Sequence, residues 1–305
     1  MRSPTSDKPT VGFIGVGVMG RPMAGHLLAA GWPVLAYDVS AAALDAIAQA
    51  GAARAASVQD VCNRASVVFT SLPSPAVFSE VMLGPDGVGS GSAVKIAVDL
   101  STVGPRATKA AAAGLRERGI ALVDAPVSGG AAGAMKRTLA VMASGDPEAI
   151  EQVRELLAVF GRIFVVGPEA GQAQLLKLLN NMLSSTAFAI TAEAFVAGVK
   201  GGLDPQLMLE VINAGSGRSA ASQEKFVRQV LPRSFDFGFP IASVCKDIGL
   251  AVEECEALGV PMWVGSQARQ VWNFANRTGG PGRDMTELVR LVEDWSGAEP
   301  PAPVR

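Results

Sequence analysis

Lys177 and Asn181 stand one helical turn apart in the run Gly171-Gln-Ala-Gln-Leu-Leu-Lys-Leu-Leu-Asn-Asn181, on an otherwise apolar pattern. Residues at i and i+4 share one helix face. An ammonium on a face patterned for burial is costly unless paired or neutralised, which marks Lys177 as a chemical group. Burial lowers a lysine's pKa, so the amine is expected to take a proton from a hydroxyl and return it as ammonium. Asn181 can hold the reacting oxygen without titrating.

A proton shuttle of this kind needs an acceptor for the remaining electrons, and residues 10 to 38 provide the place for one. The short apolar run Thr10-Val-Gly-Phe-Ile14 leads into Gly15-Val-Gly17-Val18-Met19-Gly20, a helical stretch from Arg21 to Ala30, and a second apolar run ending on Asp38. This is a βαβ unit with a glycine-rich phosphate loop. Gly15 permits the tight turn, Gly17 lets the backbone approach a pyrophosphate, Gly20 allows close packing, and the helix N-terminus faces the phosphates. Asp38 follows Gly20 by 18 residues, near the spacing of the acid that binds the adenosine ribose. No Arg or Lys follows it in Val39-Ser40-Ala41, so NAD is favoured over NADP.

Ligands of open α/β sheets bind beyond the carboxyl ends of the strands, so strand-end segments are the ones to inspect. Leu72-Pro73 ends one strand. Asp99-Leu-Ser-Thr102-Val-Gly-Pro105 ends the next, its hydroxyls equally suited to capping a helix or touching a ligand. Asp124-Ala-Pro-Val-Ser128-Gly129-Gly130 offers backbone N–H groups in a nest suited to a carboxylate. Lys246-Asp247 opens a later apolar run, with Lys246 expected at the cofactor or substrate edge and Asp247 orienting it; an ordinary pair at a helix start reads almost as well.

The elements that must position these groups follow from periodicity. Strands are expected at 11–16, 33–38, 66–72, 95–99, 120–124, 139–143 and 162–166, alternating with helices at 105–118 and 147–160, as in a parallel sheet covered on both faces. Beyond Gly167 the spacing becomes helical. A helix of roughly 25 residues over 175–199 is followed by helices at 205–214, 221–231, 240–258 and 261–277. The fold class is therefore α/β: a Rossmann domain over 10–168, joined through a long helix to an all-helical domain over 169–296 for substrate binding and dimerisation. A Pro/Ala-rich flexible tail spans 297–305.

Composition narrows the partners. A net charge of −2 with no basic block lacks the footprint of a nucleic-acid binder. The polar stretch Met1 to Pro9 has no signal-peptide core, and the apolar run Met182–Val199 carries Glu193, so it reads as a buried core helix and not a membrane span. Cys62, Cys245 and Cys255 lack metal or disulfide spacing and suit reduced thiols in a cytoplasmic protein, with no metal expected. The single histidine, His26, falls in the first helix, where a packing role is expected.

These motifs together resemble the β-hydroxyacid dehydrogenase family, over about residues 11 to 296. Gly12-Phe-Ile-Gly15-Val-Gly17-Val-Met19-Gly20-Arg-Pro22-Met23-Ala24 is similar to its cofactor loop, Asp99 to Pro105 to its D-x-S-T-x-x-P segment, and Asp124 to Gly130 to its substrate-binding segment. Gly171 to Asn181 resembles its catalytic signature, which implies Lys177 as the catalytic residue and Asn181 as substrate binder. The resemblance places Lys246-Asp247 against cofactor and substrate, and Leu72, Pro73 and Thr102 along the nicotinamide side. Ala173 replaces a glycine of the signature, and His26 stands where relatives commonly carry Asn. The segment Asn213 to Ser219 resembles a part of the family that varies with substrate, where Arg218 either pairs with a second anionic group or is a surface charge. The implied activity is hydride transfer between NAD and a small 3-hydroxy acid or its semialdehyde, in a homodimer or homotetramer. The alternatives are an imine or glyoxylate/succinic-semialdehyde-type reductase on the same fold, or a non-catalytic NAD-sensing protein.

Overall fold

A computed structural model describes residues 8–304 and resolves them into two compact units, one running through Lys177 and the other beginning at Leu178. The expectations that touch Met1–Asp7 and Arg305 lie outside the described residues.

In the first unit the strands are β1 Val11–Ile14, β2 Val34–Tyr37, β3 Ala53–Arg54, β4 Val67–Thr70, β5 Ile96–Asp99, β6 Ala121–Asp124, β7 Val127–Ser128, β8 Leu139–Gly145 and β9 Gly161–Gly167. They form one sheet in the order β3-β2-β1-β4-β5-β6-β8-β7, with β9 also paired to β8. The helices are α1 Gly20–Ala29, α2 Ala41–Gln49, α3 Val58–Arg64, α4 Pro75–Leu83, α5 Pro105–Arg116, α6 Gly130–Lys136 and α7 Pro147–Ala158. Alternation along β1 explains why both faces are covered. Val11 and Phe13 join one core, where Phe13 stacks on Phe69 and Phe69 meets Phe160 edge-on, while Ile14 joins the core on the other face with Val61, Phe78 and Leu115.

The sheet is mixed, a correction to the all-parallel expectation: β8 runs antiparallel to both β6 and β7. The chain between β7 and β8, residues 129–138, holds only the short helix α6 and falls below the dozen or so residues that a parallel crossover needs. Strands β3 and β7, two residues each, are too short to show alternation and were not anticipated.

The helix α8, Gln172–Lys200, is 29 residues and about 43 Å long, and the division between the two units falls within it. The second unit continues with α9 Pro205–Ala214, a π-helix over Ala221–Val230, α10 Ile241–Ala257, α11 Trp263–Gly279 and α12 Leu288–Ser296. Its core gathers Phe188, Phe195, Phe226 and Trp272, and the Trp272 indole donates to the Ser185 carbonyl at 3.2 Å. The π-helix replaces the ordinary helix expected over 221–231. Its buried positions 221, 225 and 230 recur at four and five residues, the spacing of a wider turn. Near the C-terminus the Val304 N–H donates to the Leu231 carbonyl at 2.9 Å.

α8 is long and apolar enough to cross a membrane by length and composition, but it is two-sided. Phe188, Ala192 and Phe195 are buried, whereas Leu183 and Ile190 are 69% and 59% exposed. The expectation of a buried core helix therefore holds on the face of Phe188, Ala192 and Phe195 and fails on that of Leu183 and Ile190, which the unit's own core does not cover.

Candidate functional site

In the first unit the expected ligand-facing segments all follow the carboxyl ends of strands. The Gly15–Gly20 loop leaves β1 and enters α1, with the Arg21 N–H donating to the Gly17 carbonyl at 3.0 Å. Gly15 has φ +88°, and a Cβ there would lie 2.3 Å from the Ser71 carbonyl oxygen. A Cβ on Gly20 would lie 1.9 Å from the Gly15 oxygen, so the turn closes on itself and packs without side chains. At Gly17 a Cβ would meet nothing within 4 Å, which is the open backbone a pyrophosphate requires. Val18 is 71% exposed on this loop.

Asp38, at the end of β2, does more than the ribose role foresaw. Its carboxylate accepts the Val16 N–H at 2.7 Å through Oδ2 and the Ser40 N–H at 2.8 Å through Oδ1, so the acid shapes the glycine loop directly. These residues fit a dinucleotide: a bare loop, a helix N-terminus and a fixed acid at the neighbouring strand end. His26 has the expected packing role, with Nε2 against the Ala134 carbonyl at 2.8 Å and Nδ1 facing the Arg137 guanidinium at 3.1 Å.

Across the next strands runs a buried polar row that sequence reading did not resolve. Thr70, Asp99, Asp124 and Ser144 are register partners on β4, β5, β6 and β8. The Thr70 hydroxyl donates to Asp99 Oδ1 at 2.7 Å and the Ser144 hydroxyl to Asp124 Oδ1 at 2.6 Å. Each acid then reaches out of the sheet. Asp99 Oδ1 accepts the Ser101 hydroxyl at 2.6 Å, and that hydroxyl oxygen accepts the Leu72 N–H at 2.8 Å, fixing the loop that contains Leu72 and Pro73. Asp124 accepts the Gly171 and Gln174 N–H groups at 3.2 and 3.1 Å, capping the start of α8.

Gln174 completes the anchor. Its Oε1 accepts the Val103 and Gly104 N–H groups at 3.0 and 3.1 Å, and its Nε2 donates to the Ser101 carbonyl at 3.0 Å. The segment carrying Thr102 is thus tied to the helix turn that carries Lys177, which is buried to 7% exposure. Ser128 ends β7, and Gly129 and Gly130 follow with φ of +133° and +62° before α6.

In the second unit Asn181, Lys246 and Asp247 come together. The Asn181 amide donates to Asp247 Oδ2 at 2.7 Å, and Lys246 Nζ lies 3.2 Å from Asp247 Oδ1. Asp247 is buried, so its direct contacts are with Asn181 and Lys246. Arg218, in contrast, is exposed. Sequence reading reached Asp124 only as the first residue of the segment ending in Gly130 and did not single out Ser144 or Gln174, because register pairing and chain reversal, not local spacing, bring the three together.

A dinucleotide-binding sheet domain followed by a helical unit, with a buried lysine borne on the connecting helix, defines a Rossmann-type oxidoreductase. Residues 10–167 match the family model described as the NAD binding domain of 6-phosphogluconate dehydrogenase, and residues 171–292 match that of the NAD-binding region of NADP-dependent 3-hydroxyisobutyrate dehydrogenase. The chain is 37% identical over 289 residues to 2-(hydroxymethyl)glutarate dehydrogenase of Eubacterium barkeri, covering 94% of this chain and 96% of that protein. It is 36% identical over 295 residues to NAD-dependent L-serine dehydrogenase of Pseudomonas aeruginosa, covering 94% and 99%. The structure of Mycobacterium tuberculosis 3-hydroxyisobutyrate dehydrogenase with L-serine aligns at TM-score 0.85 and 30% identity, covering 93% of this chain and 99% of that one. The chain belongs to the β-hydroxyacid dehydrogenase family, of the 3-hydroxyisobutyrate dehydrogenase type, and is an NAD-binding oxidoreductase.

Burial pushes the carboxyl groups of Asp99 and Asp124 up to about 6, against the hydrogen bonds that favour their ionised forms; for Asp99 the neighbouring Asp124 charge adds to the rise. A raised folded-state pKa means that each acid favours folding fully below its ordinary value of 3.8, and that this contribution is lost as pH rises through about 6. Asp99→Asn removes one such dependence. Its stability relative to the parent chain is expected to rise between pH 4 and 7 by up to about 3 kcal/mol in urea unfolding; a difference flat with pH would refute the buried-acid assignment.

Proposed function

We propose that this protein is an NAD-dependent dehydrogenase of small 3-hydroxy acids, or reductase of the matching semialdehydes, with Lys177 as general acid and base. The observation that carries this reading is the anchoring of the Lys177 helix turn, through Asp124 and Gln174, at the sheet edge from which the dinucleotide loop also emerges. The names of the relatives, which include enzymes of L-serine and 3-hydroxyisobutyrate, agree in pointing to a carboxylate with a hydroxyl on the β-carbon.

The residues divide the work as follows. Ser128, Gly129 and Gly130 receive the substrate carboxylate on backbone N–H groups. Asn181 donates to the reacting oxygen with one amide hydrogen while Asp247 holds the other, which fixes the amide's direction. Lys177 takes the hydroxyl proton as the carbinol carbon gives up its hydride, and returns the proton in the reverse direction. Bound nicotinamide supplies the hydride acceptor. Leu72, Pro73 and Thr102 would line its ring, Gly15, Gly17, Val18, Met19 and Gly20 would hold its phosphates, and Lys246 would neutralise charge at the cofactor edge. Asp38 favours the ribose diol of NAD and repels the 2′-phosphate of NADP.

The test is steady-state NADH formation over a panel of 3-hydroxy acids. The parent chain is expected to turn over at least one of them, with NAD preferred to NADP, and Lys177→Ala is expected to lose about 10²- to 10⁴-fold in kcat while still binding NAD. Retained turnover in the variant would sink the role of Lys177.

We also infer a homodimer or homotetramer. Leu176, Leu183 and Ile190 recur every seventh residue on α8 and are 42%, 69% and 59% exposed, an apolar stripe that a second copy would cover. Light scattering is expected to give a multiple of the 31.3 kDa chain mass, and a monomer would overturn this assembly.

A further inference from the structure

Within the helical unit one buried cation takes no part in the proposed hydride and proton transfer. Lys225, on the π-helix, is 7% exposed. Its ammonium donates to the Ser184 hydroxyl at 3.3 Å and lies 4.9 Å from the centre of the Phe237 ring. Among the described residues no carboxylate forms an ion pair with it; the acid that acts on it is its exposed chain neighbour Glu224. Burial holds this ammonium below the usual lysine range. A hydroxyl and an aromatic face are weak compensation for a desolvated charge, and a bound anion would supply the missing partner.

Position suggests which anion. Ser184 follows Asn181 by three residues on α8, so the two share a helix face about 4.5 Å apart along the axis. Ser184 is half-buried and Phe237 is 36% exposed, so both residues in contact with the ammonium reach solvent. Phe237 belongs to the segment that enters α10, the helix bearing Lys246 and Asp247. The segment that bears Lys225 is a π-helix, a form frequent at functional sites.

We propose that Lys225 receives a second anionic group of the substrate, which makes 3-hydroxy acids bearing a distal carboxylate the favoured class. The proposal rests on the reading that Asn181 holds the reacting oxygen; the distal carboxylate then extends one further turn along α8 to Ser184 and Lys225. It assigns to Lys225 the part that the family resemblance offered to Arg218, whose side chain lies at the surface.

The experiment is equilibrium binding of two unreactive probes, glutarate and butyrate, to the NADH-loaded protein, beside turnover of 3-hydroxy acids with and without a distal carboxylate. Glutarate is expected to bind more tightly than butyrate, and Lys225→Met to reduce that preference at least about tenfold, with a parallel fall in the ratio of kcat/KM for the two substrate types. Lys225→Arg is expected to keep the preference within about threefold, and Arg228→Met, exposed on the same helix, to leave it unchanged. Equal binding of the two probes by the parent chain, or an equal loss of both in Lys225→Met, would overturn the proposal. Absence of turnover on every 3-hydroxy acid would instead remove the catalytic reading, while the glutarate-to-butyrate ratio still decides the role of Lys225.

Discussion

The buried carboxylate of Asp124 is the interaction on which the start of α8, and with it the place of Lys177, depends. It lies wholly inside the sheet edge, accepts a hydroxyl from Ser144 within the sheet, and spends its remaining capacity on the first N–H groups of the helix that carries Lys177. A charge so placed is expensive, and its raised pKa registers the expense. What it secures is geometric. The N-terminus of a 29-residue helix is held by a charge-assisted cap and by three further hydrogen bonds from Gln174, so Lys177 inherits a fixed place relative to the strand ends.

The same economy governs the neighbouring acid. Asp99 holds Ser101, which holds the Leu72 backbone, and so the loop after β4 is tied to the loop after β5. Paired in register, Asp99 and Asp124 each raise a polar partner from an adjacent strand and each direct a loop or helix beyond the sheet. In the helical unit, Asp247 plays the corresponding part for Asn181. Three buried carboxylates therefore each hold a neighbouring loop, helix start or side chain in place: Asp99 through the Ser101 hydroxyl, Asp124 through backbone N–H groups of α8, and Asp247 through the Asn181 amide.

Much of this was legible in the chain itself. Short apolar runs located the seven longer strands to within a few residues, and the helices at 105–116, 147–158 and 205–214 follow their proline and capping signals closely. Lys177, Asn181 and the glycine loop stood out because local spacing encodes them. The antiparallel turn of β7 and β8 did not, since strand direction depends on the length of the connection and on which edge the chain returns to. The row Thr70–Asp99–Asp124–Ser144 is likewise invisible in sequence: its members are 20 to 29 residues apart and meet only through sheet register. Lys225 follows Gln223 and Glu224 in a polar stretch, so its local sequence does not set it apart, whereas the structure buries it.

The anchor formed by Asp124 and Gln174 is proposed to place Lys177 for proton transfer. Its most direct measurement is the single-turnover rate of NADH formation in Gln174→Leu, with the 3-hydroxy acid that the parent chain oxidises fastest, alongside the dissociation constant for NAD. Loss of the three side-chain hydrogen bonds is predicted to slow hydride transfer at least about tenfold while NAD binding stays within about twofold. A Gln174→Leu protein that transfers hydride at the parent rate would contradict the account.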